Sequence, residues 1–297
     1  MAKKKAGRIA VPFLITIFIG LILIGGSAIF LYNYFELGED EELSEPIARS
    51  IATATYEDSH TVLLILDSPE QRCKSTFVMM RSVPKEKKLL FVGIPTNTIA
   101  LVDGAQQSLS ESYITGGASS AVSFSEQILG VEIDKYITFN KEAFLKACDI
   151  MGGVSYTVNE EIVGFDTTKQ EQYLNGQQIY TYITYPMFEK GEEQRAYTTA
   201  SLLASMVNQA DGKRLADGLD RSFNTIINLV SDSDITAVDY KNRKTGIKYM
   251  LERGSAFARF RIVTGKTASG DFVPDYSFRE SMINEYFSQP EELEEAE

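Results

Sequence analysis

Side chains able to carry acid–base, nucleophilic or metal chemistry are sparse in this sequence. It contains one histidine, His60, and two cysteines, Cys73 and Cys148. Zinc sites take clusters of Cys and His ligands at short spacings, so zinc sites of the usual spacing are excluded. A Ser-His-Asp triad would have to rest on His60 alone, and we do not expect one. The cysteines could pair, but their spacing favours no bridge, and we expect two unpaired, partly buried thiols.

Two expected strand ends carry polar side chains, and α/β proteins usually place their chemistry at such junctions. Asp67 follows the apolar run TVLLIL at 61–66. Residues 89–98 read LLFVGIPTNT, an apolar run that ends at a Gly, an Ile-Pro step and small polar residues that include Thr96 and Asn97. Asp67 could hold a metal, or it could hydrogen-bond a turn. The second loop offers hydrogen bonds but neither a charge nor a base.

The elements around these residues alternate between short apolar runs and amphipathic segments, which indicates strands and helices in turn. The expected strands are Thr61–Leu66, Thr76–Val83, Lys87–Ile94, Val131–Phe139, Val154–Val158 and Phe257–Val263. The expected helices are Ser119–Leu129, one from the cap Asn140 to Gly152-Gly153, Arg195–Gln209, Lys213–Val230 and Tyr276–Phe287. This order predicts one α/β domain with a mixed central β-sheet flanked by helices on both faces.

The N-terminal segment predicts a membrane anchor. Residues 9–31 are almost wholly apolar and uncharged, long enough to span the roughly 30 Å hydrocarbon core as a helix. A signal peptide has a shorter apolar core of about 7–15 residues, so we expect a retained transmembrane helix. The basic residues at 3–5 and 8 stay in the cytoplasm by the positive-inside rule, which places the rest of the chain outside the cell.

The chain divides into a basic cytoplasmic tail (1–8), a transmembrane helix (9–31), a stalk (32–58), an extracytoplasmic domain (59–287) and a disordered acidic tail (288–297). The net charge is −12, although the first tail is basic, so the exported part is strongly acidic. Nucleic-acid binding draws on Lys and Arg at phosphates, and an acidic domain is a poor candidate for it.

Several stretches of the exported domain resemble the LytR-CpsA-Psr (LCP) family. They are VLLILDS (62–68), LLFVGIPTNT (89–98), ILGVEIDKYITFNKEAFLKACDIMGGVSYTV (128–158), YLNGQQIYTYI (173–183), GEEQRAYTTASLLASMV (191–207) and GKTASGDFVPDYSFRESMINEYF (265–287). The resemblance implies an enzyme of cell-envelope assembly in mostly Gram-positive bacteria. Such enzymes take a glycopolymer from a polyprenyl-pyrophosphate carrier and attach it to peptidoglycan through a phosphodiester.

The resemblance also implies a site in which Asp residues hold Mg²⁺ and several Arg grip the pyrophosphate, because guanidinium forks bind phosphate bidentately. Asp67 matches the first family Asp and is the candidate catalytic and Mg²⁺-binding carboxylate. Arg195 matches the position of one family Arg and is the second candidate catalytic residue. Arg72 and Lys74 are candidate substrate-binding residues beside Cys73, where the family has an Arg.

Most of the family's charged residues are replaced. The Arg-Asp pair of its Ser-Ile-Pro-Arg-Asp-Thr signature falls on Thr96 and Asn97, which remain candidates for substrate binding through hydrogen bonds. In the family, two further arginines follow a Leu-Asn/Asp-Gly turn and a strand, and they fall here near Thr184 and Pro186. A third falls on Thr198. Each lost charge-assisted contact is worth about 1.5–3 kcal/mol, so several losses leave little to neutralise a pyrophosphate.

Two classes of function therefore stay open. The protein is either a glycopolymer transferase, working or weakened, or a catalytically depleted relative that binds a lipid-linked glycan or acts as a scaffold without transfer. The substitutions favour the second class. A transcriptional role gains no support, because no basic DNA-reading element occurs outside the membrane anchor. Four tyrosines could line a pocket but are expected to pack in the core, namely Tyr180, Tyr182, Tyr185 and Tyr197.

Overall fold

The computed structural model of the protein describes residues 54–68, 75–102, 104–166, 168, 170–252 and 257–288. The predicted transmembrane helix at 9–31 lies outside these residues, as do most of the stalk and nearly all of the acidic tail. Among the helices that are described, none is both long and apolar enough to cross a membrane.

A mixed sheet of six strands forms the centre of the domain. The strands in chain order are β1 His60–Leu66, β2 Thr76–Val83, β3 Lys88–Ile94, β4 Ile99–Val102, β5 Ala105–Ser108, β6 Lys135–Phe139, β7 Val154–Thr157, β8 Glu171–Leu174, β9 Asp232–Ser233, β10 Ala258–Ile262, β11 Gly265–Ala268 and β12 Asp271–Pro274. The central sheet has the order β10-β3-β2-β1-β6-β9, and β4–β5, β7–β8 and β11–β12 form separate two-stranded sheets.

Helices cover both faces of this sheet. They are α1 Leu109–Leu129, α2 Lys141–Met151, α3 Gly176–Ile183, α4 Gly191–Gln209, α5 Gly212–Asp217, α6 Leu219–Ile227, α7 Ala237–Leu251 and α8 Phe278–Tyr286. On one face, Leu63 and Ile65 of β1 pack in a buried cluster with Phe124 of α1 and Met282 of α8. On the other face, strand residues pack against α4 and α7. Side chains alternate across a strand, so β1 contributes to both layers.

The predicted fold class is confirmed for the described residues: a mixed central sheet has helices on both faces. Two boundary predictions differ most from the structure. Helix α1 begins at Leu109 rather than Ser119, because Gly117 (φ 67°, ψ −158°) only kinks it, and the side chain of Ser108 caps its first turn. The helix expected at 213–230 is two short helices that meet at Gly218.

The secondary structure predicted for the segment after Leu174 was also wrong. The family resemblance places a strand before the missing arginines, but residues Gly176–Ile183 form helix α3. Asn175 and Gln178 make a capping box, in which each side chain bonds the other residue's backbone N–H, and this fixes the helix start. Helix α7 was not predicted either. It starts with the equivalent box of Thr236 and Asp239.

Candidate functional site

The candidate site lies at one edge of the central sheet. Strand β1 pairs parallel with β6, and β3 pairs parallel with β10, while β2 is antiparallel to both β1 and β3. The carboxyl ends of β1, β3, β6 and β10 therefore meet at the same edge. Loops at the carboxyl ends of parallel strands are where α/β sheets bind ligands. Asp67 follows β1 there, and the 95–98 loop follows β3.

Asp67 is fixed at this edge by its backbone and by one neighbouring hydroxyl. Its N–H donates to the carbonyl of Phe139, the last residue of β6, at 2.9 Å. The hydroxyl of Ser75 donates to Asp67 Oδ1 at 3.1 Å. Burial raises the pKa of Tyr113 to about 12, and the negative charge of Asp67 adds to this rise. The other oxygen of the Asp67 carboxylate, Oδ2, has no hydrogen bond to any described residue.

Arg195 approaches the same corner from helix α4. Its side chain is buried, and Nη1 donates to Thr76 Oγ1 at 3.3 Å. Nε donates to Glu192 Oε2 at 2.8 Å, and Nη2 forms an ion pair with the same carboxylate. Because Thr76 follows Ser75, the structure links Asp67 and Arg195 through two adjacent residues at the start of β2.

The close approach of α4 to the sheet depends on Gly93. A Cβ at this position would lie 2.3 Å from the carbonyl oxygen of Ala196, far inside van der Waals contact. A glycine there lets the helix backbone rest directly on β3. Ala196 adjoins Arg195, so this contact sets the depth at which the guanidinium enters the site.

The other candidates at this edge have structural contacts of their own. Asn97 Nδ2 donates to the carbonyl of Gly270, between β11 and β12, at 2.7 Å. Thr96 is 2% exposed, its hydroxyl has no partner among the described residues, and its carbonyl accepts from the N–H of Ser110 at 3.0 Å. No hydrogen bond within the described part of the chain joins either side chain to Asp67 or Arg195. Their role in substrate binding stays a prediction.

Two candidates cannot be placed. Arg72 and Lys74 lie outside the described residues, as does Cys73. Cys148 is an unpaired, fully buried thiol, and burial raises its pKa to about 12. Sequence reasoning missed Glu192, although its spacing of three residues before Arg195 on a helix was a usable signal for an ion pair.

Two apolar cavities lie beneath β1, between the sheet and the helices of one face. The first, of about 250 Å³, is lined by residues that include Leu66, Thr76 and Cys148, so it reaches the corner of Asp67 and Arg195. The second, of about 400 Å³, extends to His60 at the opposite end of β1. Both are lined by Leu64, Met80 and Phe139, so they meet beneath the middle of the strand.

Metal binding would rest on few protein ligands. Across the described ranges, no group of three or more His, Cys, Asp and Glu side chains is placed to hold a metal ion. Asp67 is one carboxylate with an oxygen to spare. Such a site could bind Mg²⁺ in one way that proteins often use, in which one or two carboxylates hold the ion together with water and substrate phosphates.

Comparison with known proteins agrees with this architecture. The LytR_cpsA_psr family model matches residues 38–250. The polyisoprenyl-teichoic acid–peptidoglycan teichoic acid transferase TagU of Bacillus mycoides (strain KBAB4) is 27% identical over 245 residues, which cover 77% of this chain and 76% of TagU. Biofilm regulatory protein A of Streptococcus mutans is 21% identical over an alignment of 303 positions, which covers 88% of this chain and 74% of that protein.

Solved structures share the fold. A protein from Eubacterium siraeum DSM 15702 superposes with a TM-score of 0.69 at 21% identity, covering 83% of this chain and 98% of the other. TagV of B. subtilis gives a TM-score of 0.60 at 17% identity, with 78% and 98% covered. TagT bound to LI-WTA gives 0.60 at 16% identity, with 78% and 92% covered.

Proposed function

Because the chain belongs to the LytR_cpsA_psr family, matched over residues 38–250, we propose that it binds a polyprenyl-pyrophosphate-linked cell-wall glycopolymer and attaches the polymer to peptidoglycan. The observation that supports this proposal most directly is that an apolar cavity ends at a polar corner. Leu66 and Thr76 line the cavity, Asp67 follows Leu66, and Arg195 donates to Thr76. A lipid with a charged head needs this pairing of an apolar space and a cation.

The lipid occupies the two cavities beneath β1. The wall of the smaller cavity is almost entirely apolar, and residues of α4 form part of it. The larger cavity is apolar near Leu64 and carries charged residues, Asp134, Lys135 and Arg243 among them. Each buried CH₂ of a lipid contributes about 0.8 kcal/mol, so a tail of several isoprene units binds tightly without any polar contact.

The pyrophosphate lies at the corner of Asp67 and Arg195. Arg195 brings a guanidinium charge to this corner, and a guanidinium group attracts phosphate oxygens. The free oxygen of Asp67 would hold Mg²⁺ together with the phosphates. A bound Mg²⁺ supplies neutralising charge during phosphoryl transfer. A hydroxyl of peptidoglycan attacks the phosphorus next to the sugar. The bond from that phosphorus to the bridging oxygen breaks, and polyprenyl phosphate leaves and takes up the hydroxyl proton.

A second candidate function is binding without transfer. It is favoured by the pairing of Arg195 with Glu192, which already takes up two of its donors. Thr96 and Asn97 add no charge at the same edge of the sheet. On this alternative the protein holds or presents the lipid-linked glycan, and another enzyme transfers it.

The setting of this reaction is the outer face of the cell membrane. Residues 9–31 form a single transmembrane anchor with the N-terminus in the cytoplasm, and the domain faces the cell wall of a Gram-positive bacterium. Supporting this, TagU of Bacillus mycoides is a transferase whose name gives polyisoprenyl-teichoic acid and peptidoglycan as its substrates. Fractionation and protease protection of intact cells would test this placement, which fails if the domain resists protease added outside.

Turnover separates the two candidates. The full-length chain in detergent is mixed with a polyprenyl-pyrophosphate-linked glycan, peptidoglycan and Mg²⁺, and released polyprenyl phosphate is measured. We expect release that disappears in Asp67→Ala and Arg195→Ala and persists in Tyr276→Ala, a surface control. Binding without release would select the second candidate. A chain that neither binds nor releases the lipid would contradict both.

A further inference from the structure

Three segments meet at the edge of the domain opposite the candidate site. They are the short 3₁₀ helix Tyr56–Asp58, which precedes β1, the turn 84–88 between β2 and β3, and helix α7. A Cβ on Gly246 of α7 would lie 3.0 Å from Asp58 Cβ and 3.2 Å from Pro84 Cβ, so the helix backbone packs directly against both other segments. We call the surface that these three segments form the basal surface.

The basal surface is basic, although the chain as a whole is acidic. Its three segments contain seven Lys or Arg and four Asp or Glu, whereas the whole sequence contains 29 and 41. Three of the seven cations have carboxylate partners, namely Lys88, Lys244 and Lys248. Lys85 and Lys241 are exposed and form no ion pair with any described residue. This end of the domain therefore attracts anions.

Tyrosine rings lie beneath the lysines of the turn. Lys85 Nζ is 4.3 Å from the ring centroid of Tyr56, and Lys87 Nζ is 4.1 Å from that of Tyr249. These are cation–π contacts, and both rings are partly exposed. Lysine and tyrosine each combine an apolar body with a polar end, which suits them to the interface between a membrane and water.

The larger of the two cavities beneath β1 ends at the basal surface. Its lining includes His60 at the start of β1, together with Asp239, Arg243 and Ile247 of α7. Arg243 also donates a hydrogen bond to the carbonyl of Glu57 in the 3₁₀ helix. A lipid surface in contact with the basal surface would therefore lie beside the cavity in which we place the lipid tail.

We propose that the basal surface docks on anionic phospholipid headgroups of the membrane that anchors the chain. The inference rests on the membrane anchor proposed above, and it adds which end of the domain faces the lipid. Each Lys or Arg close to an anionic membrane favours the docked state about fivefold. An anchor in the same membrane also raises the effective concentration of the two surfaces, so a modest excess of cations is enough to orient the domain.

Quenching of a single tryptophan tests the docking, because the sequence contains no tryptophan of its own. Thr245 is exposed on α7 between Lys241 and Lys248, whereas Met187, 71% exposed, lies near the start of α4. Full-length Thr245→Trp and Met187→Trp are reconstituted in phosphatidylcholine vesicles with or without phosphatidylglycerol, and a lipid with a nitroxide on its headgroup is the quencher. With phosphatidylglycerol present, we expect quenching of Thr245→Trp and not of Met187→Trp.

Charge removal shows whether the contact is electrostatic. Lys85→Gln and Lys241→Gln, each added to the Thr245→Trp chain, should lower the ratio of docked to undocked protein about fivefold. Lys190→Gln, which removes an exposed lysine near Met187, should leave the ratio unchanged. The proposal is overturned if the two tryptophans are quenched equally, or if the quenching of Thr245→Trp is the same without phosphatidylglycerol.

Separate measurements keep the docking distinct from the proposed function. Flotation of the vesicles shows whether the chain is anchored, and release of polyprenyl phosphate shows whether it transfers a polymer. Docking without release would contradict transfer and support the basal surface. A chain that does not float with the vesicles would contradict the anchor and the docking together.

Discussion

The apolar cavities beneath β1 and the polar edge above them are built on the same strands but in opposite ways. Both cavities are formed by many side chains of the sheet, together with α2, α3 and α4 in the first cavity and α6 and α7 in the second. The polar corner depends on Asp67 and Arg195, whose side chains are held by specific hydrogen bonds and an ion pair. Loss of one apolar side chain changes a cavity slightly, whereas loss of one charge removes most of the polar site.

This difference predicts that single substitutions weaken a phosphate site more than they weaken an apolar cavity. Hydrophobic burial is additive over area and tolerates exchange among apolar residues. Phosphate recognition uses a few directed, charge-assisted bonds that a Thr cannot replace. Thr96, Asn97 and Thr198 stand at positions where the family resemblance expects charges, whereas the lining of the first cavity is almost entirely apolar.

The largest effect is expected from Arg195→Ala. The substitution leaves the partly buried Glu192 without its cation and Thr76 without a donor. Breaking a fully buried pair costs about 3–5 kcal/mol, and partial exposure of Glu192 reduces the expected loss to about 2–3 kcal/mol. Urea denaturation measures it. Arg195→Lys keeps the charge and should lose less, and equal losses in the two variants would show that packing, not charge, holds this corner.

Gly93→Ala probes how the sheet sets the position of Arg195. The new Cβ collides with the backbone of Ala196, so α4 has to move. Overpacking of this kind costs about 1–3 kcal/mol of unfolding free energy. Gly218→Ala is the matched control, because Gly218 has φ −93° and its nearest contact is 3.3 Å. The argument fails if both variants unfold at the same urea concentration.

Leu64→Trp affects the cavities and not the polar corner. Leu64 lines both cavities, so an indole there fills the space where they meet. We expect lipid affinity to fall about tenfold, equivalent to about 1.4 kcal/mol, with little loss of stability because filling a cavity is often neutral or stabilising. Fluorescence quenching by a polyprenyl phosphate measures the change. Undiminished binding would place the lipid elsewhere.

The smallest expected effect is a change in the pKa of Tyr113, which the charge of Asp67 helps to raise. Its pKa is raised from 10.0 to about 12 by burial and then by Asp67. The folded state therefore favours the protonated phenol. Its contribution to stability is complete below pH 10 and disappears as the pH rises through the window from 10 to about 12. Ultraviolet titration should show a lower pKa in Asp67→Asn. An unchanged pKa would remove Asp67 from the surroundings of Tyr113.

The layered fold was largely predictable from the sequence. Apolar runs such as TVLLIL and the cap at Asn140 carry local signals that survive in the structure. Helix α3 was not predicted, because the family resemblance implied a strand there and the capping box of Asn175 and Gln178 was overlooked. The core position of Tyr182 was predicted correctly, whereas Tyr197 is half exposed, because the side that a helical residue presents depends on which helix face packs on the sheet.

The candidate site was only partly predictable. Asp67 and Arg195 are more than a hundred residues apart, and the sequence matched each to a motif without showing that Ser75 and Thr76 link them. The cavity beside the first turns of α4, lined by Tyr156, Tyr197 and Thr198 among others, had no signal in the sequence. Its lining comes from β7, α3, α4 and β10, and such a space exists only after these elements pack.

The most direct test of the account separates the head of the ligand from its tail. Binding of polyprenyl pyrophosphate, polyprenol and inorganic pyrophosphate is measured for the full-length chain and for Leu64→Trp and Arg195→Ala. We predict tightest binding of the complete lipid, about tenfold weaker binding of both lipids in Leu64→Trp, and loss of preference for the pyrophosphate head in Arg195→Ala. Binding of polyprenyl pyrophosphate that is equal in all three proteins would contradict the account.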